Sequence, residues 1–129
     1  MIQYIETDKA PLPAGHYAQA SVFNGMVFVA GQLPIKPGGR GKEVGSIEEQ
    51  SRQVIENVKN ILEAAGSDLE HTLRVTIYIS DIELWGKVNA IYTEAFGKAT
   101  PARAIVPVKD LHYGYSIEMT AIAAVKTPA

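Results

Sequence analysis

The sequence predicts an α+β domain: a mixed sheet of five or six strands with two helices packed on one of its faces. Three observations carry that prediction. Asn24-Gly25 stands between two strand-like runs and supplies the two positive-φ residues of a tight hairpin. Two stretches repeat apolar residues at three- and four-residue spacings, one over about Ile47–Ala65 and one after Asp81. The order of elements is strand, hairpin, helix, strand, helix, strand, strand, which lacks the regular alternation of a parallel α/β sheet.

Taken in order, Ile2-Gln3-Tyr4-Ile5 reads as a short edge strand, followed by an irregular segment set by Pro11, Pro13 and Gly15. Tyr17–Phe23 and Met26–Gln32 form the hairpin arms. The second arm is apolar on both faces and is expected to be central. Pro34 ends it, and Lys36–Val44 (KPGGRGKEV) is expected to be a flexible, solvated loop, because it lacks the G-x-x-x-x-G-K-[ST] phosphate pattern. Ser46 and Glu49 form a capping box for the first helix, and Gly66 stands where a left-handed residue would end it. In Leu73–Ile79 the residues Leu73, Val75, Ile77 and Ile79 alternate with polar ones, as in a half-buried strand. Asp81 is the expected N-cap of a second helix, which buries Leu84, Trp85, Val88, Ile91, Tyr92 and Phe96 and stops at Gly97.

The chain of 129 residues is 47% hydrophobic and 20% charged, enough for one domain with a core, spanning 1–129. It has no Cys, which excludes disulfides, thiolate ligands and a Cys nucleophile. No secretory leader or membrane-spanning run is visible, so a cytoplasmic protein is the expectation. A formal charge of −2 gives no footprint for nucleic acid. His16, His71 and His112 lie far apart without metal-site spacing, so no metal is expected, and His112 reads as a solvated turn residue. The elbow of serine hydrolases and the dinucleotide fingerprint are both missing.

Two charges need an explanation. Arg103 lies in Ala102–Val108, on one face with Ile105 and Pro107. Glu118 lies in Ser116–Val125, opposite the face of Ile117, Met119, Ala121, Ala123 and Val125. Local sequence favours a structural ion pair between neighbouring strands; the alternative is a site where Arg103 grips an anion and Glu118 handles a proton or a water. Asn89 reads, on pattern alone, as an exposed helix residue. Two helices with one apolar stripe each cover one face of the sheet. A second apolar face is left over, and self-association is its simplest cover.

The run Pro101-Ala102-Arg103, followed by Ile117-Glu118 and Ala121-Ile122-Ala123, resembles the C-terminal signature of the RidA (YjgF) family, also labelled endoribonuclease L-PSP. Gly15–Ala20 is similar to that family's G-P-Y-[ST]-Q-[AG], Val29–Pro34 to its S-G-Q-[IL]-P, and Val88–Tyr92 to its V-N-x-x-Y. Gln50, Asn57 and Ala64-Ala65-Gly66 also match by position in the first helix. The resemblance implies a chorismate-mutase-like fold and a homotrimer with clefts between subunits. It also implies hydrolysis of enamine/imine intermediates of the 2-aminoacrylate and 2-iminobutanoate type to 2-keto acids and ammonia, with no cofactor and no metal. In that picture Arg103 binds the substrate carboxylate and Glu118 places the attacking water. Tyr17, Asn89, Gly31 and Ile105 line the cleft.

Departures from the family pattern are Ala30 in place of a hydroxyl residue, Ile105 where many members have Cys, His16 and His112 in place of prolines, and Thr120 in place of an acidic residue. They leave two further readings: a non-catalytic trimer that binds small carboxylates, and a ribonuclease, against which the net negative charge counts.

Overall fold

The computed structural model describes residues 1–39 and 43–126. Strands β1 (Gln3–Ile5), β2 (Ala20–Phe23), β3 (Met26–Gln32), β4 (Thr72–Ile79), β5 (Ala102–Pro107) and β6 (Ile117–Ala124) form one sheet in the order β1-β2-β3-β6-β4-β5. All pairings are antiparallel except β4 with β5. The parallel pair follows from the helix between those strands, which carries the chain back to its starting edge. The sheet is mixed, as predicted, and has six strands, within the five or six expected.

The hairpin has the expected chemistry. Phe23 pairs with Met26, and Asn24 and Gly25 take φ values of 50° and 75°. The first arm is shorter than expected, because Tyr17 to Gln19 belong to the preceding irregular segment rather than to β2. Helix α1 (Ile47–Ala64) starts at the predicted box, with Ser46 and Glu49 each satisfying the other's backbone N–H. Gly66 follows at φ 83°.

Helix α2 (Trp85–Phe96) starts later than expected. Asp81 caps a preceding 3-10 turn, Ile82–Leu84, by accepting from the Glu83 N–H at 2.9 Å. Trp85 is consequently exposed rather than buried. The alternation in β4 also breaks at its start. Thr72 pairs with Ala123 and Arg74 with Ile122, so Leu73 is an extra residue and points out of the core. Of the predicted loop at 36–44, residues 40–42 lie outside the described residues.

Both helices cover the same face. Val27, Val29, Val75, Ile77, Ile79, Ile117, Met119, Ala121 and Ala123 are buried there against Val54, Val58, Ile61 and Leu62 of α1 and Val88, Ile91 and Phe96 of α2. Each fully buried branched side chain contributes about 1.5–3 kcal/mol. β6 alternates without a break, so Glu118, Thr120, Ile122 and Ala124 all face away from the helices. On that outer face Tyr4, Phe23, Phe28 and Val106 are exposed, one from each of four strands. The leftover apolar face is thus present. No described helix is long and apolar enough to cross a membrane.

Candidate active site

The sheet register separates the two charges. Arg103 pairs with Val75 and Glu118 with Tyr78 on either side of β4. Val75 and Tyr78 are three residues apart in one strand, so they point to opposite faces. Val75 is wholly buried beneath the helices. Arg103 therefore lies on the helix side and Glu118 on the outer side. An ion pair within the chain is excluded, and the structural reading of these residues is corrected accordingly.

Arg103 is exposed, at the edge strand, and α2 determines how it is held. Its Nη1 donates to Asn89 Oδ1 at 2.9 Å. Its guanidinium carbon lies 4.9 Å from the Trp85 ring centre and 4.6 Å from that of Tyr92. Residues 85, 89 and 92 share one helix face at spacings of four and three, so one stripe of α2 builds the whole cradle. Stacking and one hydrogen bond orient the fork without neutralising its charge. Among the described residues, one of its five donors has a partner. Ile105 lies two residues on along the same face, half-buried against the core. Asn89 is half-buried and occupied by Arg103, so its expected exposure is corrected.

Glu118 lies in a cavity of about 540 Å³ on the other side, lined also by Leu12, Tyr17, Gly31, Leu33, His112 and Tyr113. No described residue pairs with its carboxylate. Burial raises the carboxyl above its ordinary value, while nearby His112 acts in the opposite direction. Gly31 leaves room for it, because a Cβ there would overlap the Glu118 carboxylate and the carboxylate would have to move aside. The backbone opens at this point: Val29 pairs with Ala121 and Gln32 with Met119, so Ala30 and Gly31 together oppose Thr120. The Thr120 hydroxyl donates to the Val29 carbonyl, which gives this departure a structural use at the bulge. Ala30 lines the cavity, and His16 lines a neighbouring hollow with Tyr4 and Tyr17.

Buried amides hold the cavity walls. Gln19 accepts from the Thr7 N–H at 2.6 Å and donates to the Pro11 carbonyl at 2.9 Å, fixing the wall of Pro11 and Leu12. Asn57 donates to the Leu33 and Ile35 carbonyls at 3.1 and 2.9 Å. Gln50 donates to the Gly45 carbonyl and accepts from the Ser116 N–H, two residues before Glu118. Each satisfies loop groups that would otherwise be buried unpaired. Sequence reasoning missed Gln19, Trp85, Tyr92 and His112 as parts of the site. The only local signal was a buried-type position filled by an amide; the aromatic pair looked like core.

Of the expected cleft residues, the structure brings Tyr17 and Gly31 to Glu118, and Asn89 and Ile105 to Arg103. It does not bring the two groups together within one chain. Among the described residues no group of three His, Asp or Glu could hold a metal ion.

A family model described as Endoribonuclease L-PSP matches residues 7–125. A RutC family protein of Pyrococcus abyssi is 46% identical over 121 residues, which cover 94% of this chain and 95% of that one. Among solved structures, YyfA of Yersinia pestis, a Rid family protein of unknown function, superposes with a TM-score of 0.92 at 38% identity, covering 97% of this chain and 100% of its own. E. coli TdcF, solved with bound serine, superposes at 0.89 with 32% identity, covering 95% of this chain and 98% of its own. With its motifs, its sheet order and these relatives in agreement, the chain belongs to the RidA/YjgF family of endoribonuclease L-PSP-type proteins.

Proposed function

We propose that the protein hydrolyses small 2-imino acids and their enamine tautomers to 2-keto acids and ammonia. It does so as a homotrimer whose clefts take Arg103 from one subunit and Glu118 from the next. One observation carries the proposal: among the described residues, a cation with free donors and a carboxylate without a partner stand on opposite faces of the same sheet. Each is half of a site that a second copy can complete. The outer apolar face, with Phe28 and Phe23 exposed, is the surface such a copy would cover. The serine bound to E. coli TdcF, a small amino acid with a carboxylate, agrees with this ligand class.

In this reading the Arg103 fork binds the substrate carboxylate in its plane, and Asn89, Trp85 and Tyr92 keep the fork from swinging away. Glu118 holds a water and accepts its proton as the oxygen bonds to the imine carbon. The C=N electron pair moves to nitrogen. The resulting carbinolamine then loses ammonia and leaves the 2-keto acid. An imine is already electrophilic, so an oriented substrate and a positioned water serve the attack without a strong nucleophile.

The test is ammonia and 2-keto acid release from 2-aminoacrylate or 2-iminobutanoate generated in situ, against buffer alone. Acceleration by the protein supports the reading. Tight 2-ketobutyrate binding with no acceleration would instead leave a carboxylate-binding module.

A further inference from the structure

We infer that His112 is a second proton-transfer group of the Glu118 cavity, supplying the proton that the departing nitrogen needs. The inference rests on the deaminase reading above and deepens it. Imine hydrolysis makes two opposite demands. The attacking water must lose a proton, and the nitrogen must gain one before the C–N bond can break. Glu118 serves the first demand directly, and a carboxyl group that has just taken the water's proton is the only donor it can then offer.

His112 and Glu118 line the same cavity from different elements. His112 stands on the short 3-10 turn His112–Gly114, immediately before β6. Tyr113 takes φ 62° and ψ 18°, and Gly114 takes φ 79°. A non-glycine residue in the left-handed region costs about 1–2 kcal/mol, so this turn is held by its surroundings. Tyr115 is buried directly after it, and the Ser116 N–H is fixed by Gln50 at 2.8 Å. The His112 ring lies 5.6 Å from the Tyr113 ring, which meets Tyr115 edge-on at 6.5 Å. The imidazole is exposed to solvent, as expected for a turn residue, and it stands beside the Tyr113 ring at the mouth of the cavity. The other titratable side chains that line this cavity are Glu118 from β6, Tyr17 from the segment before β2, and Tyr113 from its own turn. Among the described residues lining the cavity there is no Lys, Arg or Asp. Imidazole is the side chain that changes charge nearest neutrality.

The steps balance. With the substrate as its protonated iminium form, Glu118 carboxylate takes a proton from water as the C–O bond forms and the C=N pair moves to nitrogen, which leaves a neutral carbinolamine amine. The His112 imidazolium then protonates the amine of the carbinolamine. The C–N bond breaks with its pair on nitrogen, and the hydroxyl proton returns to the imidazole as C=O forms. Ammonia takes the proton held by Glu118 and leaves as ammonium, restoring both groups.

The experiment compares wild type, His112→Gln and Glu118→Gln. In turnover, His112→Gln should lower kcat about 100-fold, with KM little changed. It should also remove an alkaline falling limb of the wild-type pH profile. In NMR spectra of the three histidines, Glu118→Gln should shift the His112 imidazole signals and leave those of His16 and His71 in place, because His112 alone among them shares the cavity with Glu118. This second measurement needs no turnover. Unmoved His112 signals, or a His112→Gln profile superimposable on an active wild type, overturn the role of His112 alone. An inactive wild type overturns the deaminase reading, and this role with it.

Discussion

Arg103 and Glu118 occupy opposite faces of one sheet, on strands that flank β4 and never touch each other. Removing either side chain therefore strands no buried opposite charge. The 3–5 kcal/mol loss typical of breaking a buried pair is not expected. Arg103→Ala should cost about 1 kcal/mol or less through its stacking on Trp85 and Tyr92.

Glu118→Gln should change the slope of stability against pH. Its folded-state carboxyl titrates above the unfolded value, so the folded chain binds more protons in that interval. The ionised group thus opposes folding at higher pH, and that penalty is relieved as pH falls through the raised value. Urea unfolding between pH 4 and pH 8 should show wild type losing stability relative to Glu118→Gln as pH rises. Equal slopes for the two would contradict the assignment.

Gly31 provides a steric test of the same carboxylate. Gly31→Ala places a methyl where the Glu118 carboxylate now lies, and because that is the end of a flexible side chain it can swing aside at a cost of about 0.5–1.5 kcal/mol. In a Glu118→Ala background the space is free and that cost should largely vanish. A double-mutant cycle by chemical denaturation measures the coupling. Additive effects would mean that the carboxylate points elsewhere.

Much of this architecture could be read from local chemistry. The Asn24-Gly25 turn, the Ser46–Glu49 box and the alternation of β6 each depend on residues within a few positions, and all three stand as expected. What local pattern could not supply was the neighbour of β5. Arg103 and Glu118 seemed destined for adjacent strands because only a loop separates their runs in sequence. The chain instead inserts β4 between them, a long-range choice made by the parallel crossover through α2. The same limit hid the cradle of Arg103. Trp85 and Tyr92 have the spacing of any apolar helix stripe, and only the position of β5 turns that stripe toward a guanidinium. Family likeness named Asn89 where pattern did not. The Leu73 bulge was invisible because one extra residue leaves the alternation on either side intact.

Asp68 should give the opposite pH signature from Glu118. It caps the 3-10 turn Leu69–His71 by accepting from the His71 N–H at 3.0 Å and lies 2.7 Å from His71 Nδ1. Its Oδ2 is 3.6 Å from Lys126 Nζ, at the end of β6. The side-chain contact with His71 leads in lowering its carboxyl below the ordinary value. Its stabilising contribution is complete above the unfolded pKa and is lost as pH falls through the lowered folded one. Asp68→Ala should cost about 1 kcal/mol at pH 7, as for loss of a cap, and that difference should shrink in acid. A difference constant down to pH 2 would assign the effect to packing alone.

Complementation between two inactive variants shows whether the site belongs to one chain or two. Arg103→Ala and Glu118→Ala should each abolish imine hydrolysis. In a ring where every cleft joins Arg103 of one subunit to Glu118 of the next, the two variants complement each other. A cleft formed by the intact Arg103 of one variant and the intact Glu118 of the other is wild type at both positions. Unfolding the two together in equal amounts and refolding them should give statistical mixtures, with about one quarter of the clefts restored. Ammonia release should therefore return to roughly that fraction of wild type, whereas separately refolded variants mixed without exchange stay inactive. Light scattering should show a mass near three times the 14.0 kDa chain in every sample. Phe28→Asp puts a charge on the exposed outer face and should lower both the mass and the recovery. A trimer that refolds fully yet recovers nothing would place both residues in separate functions.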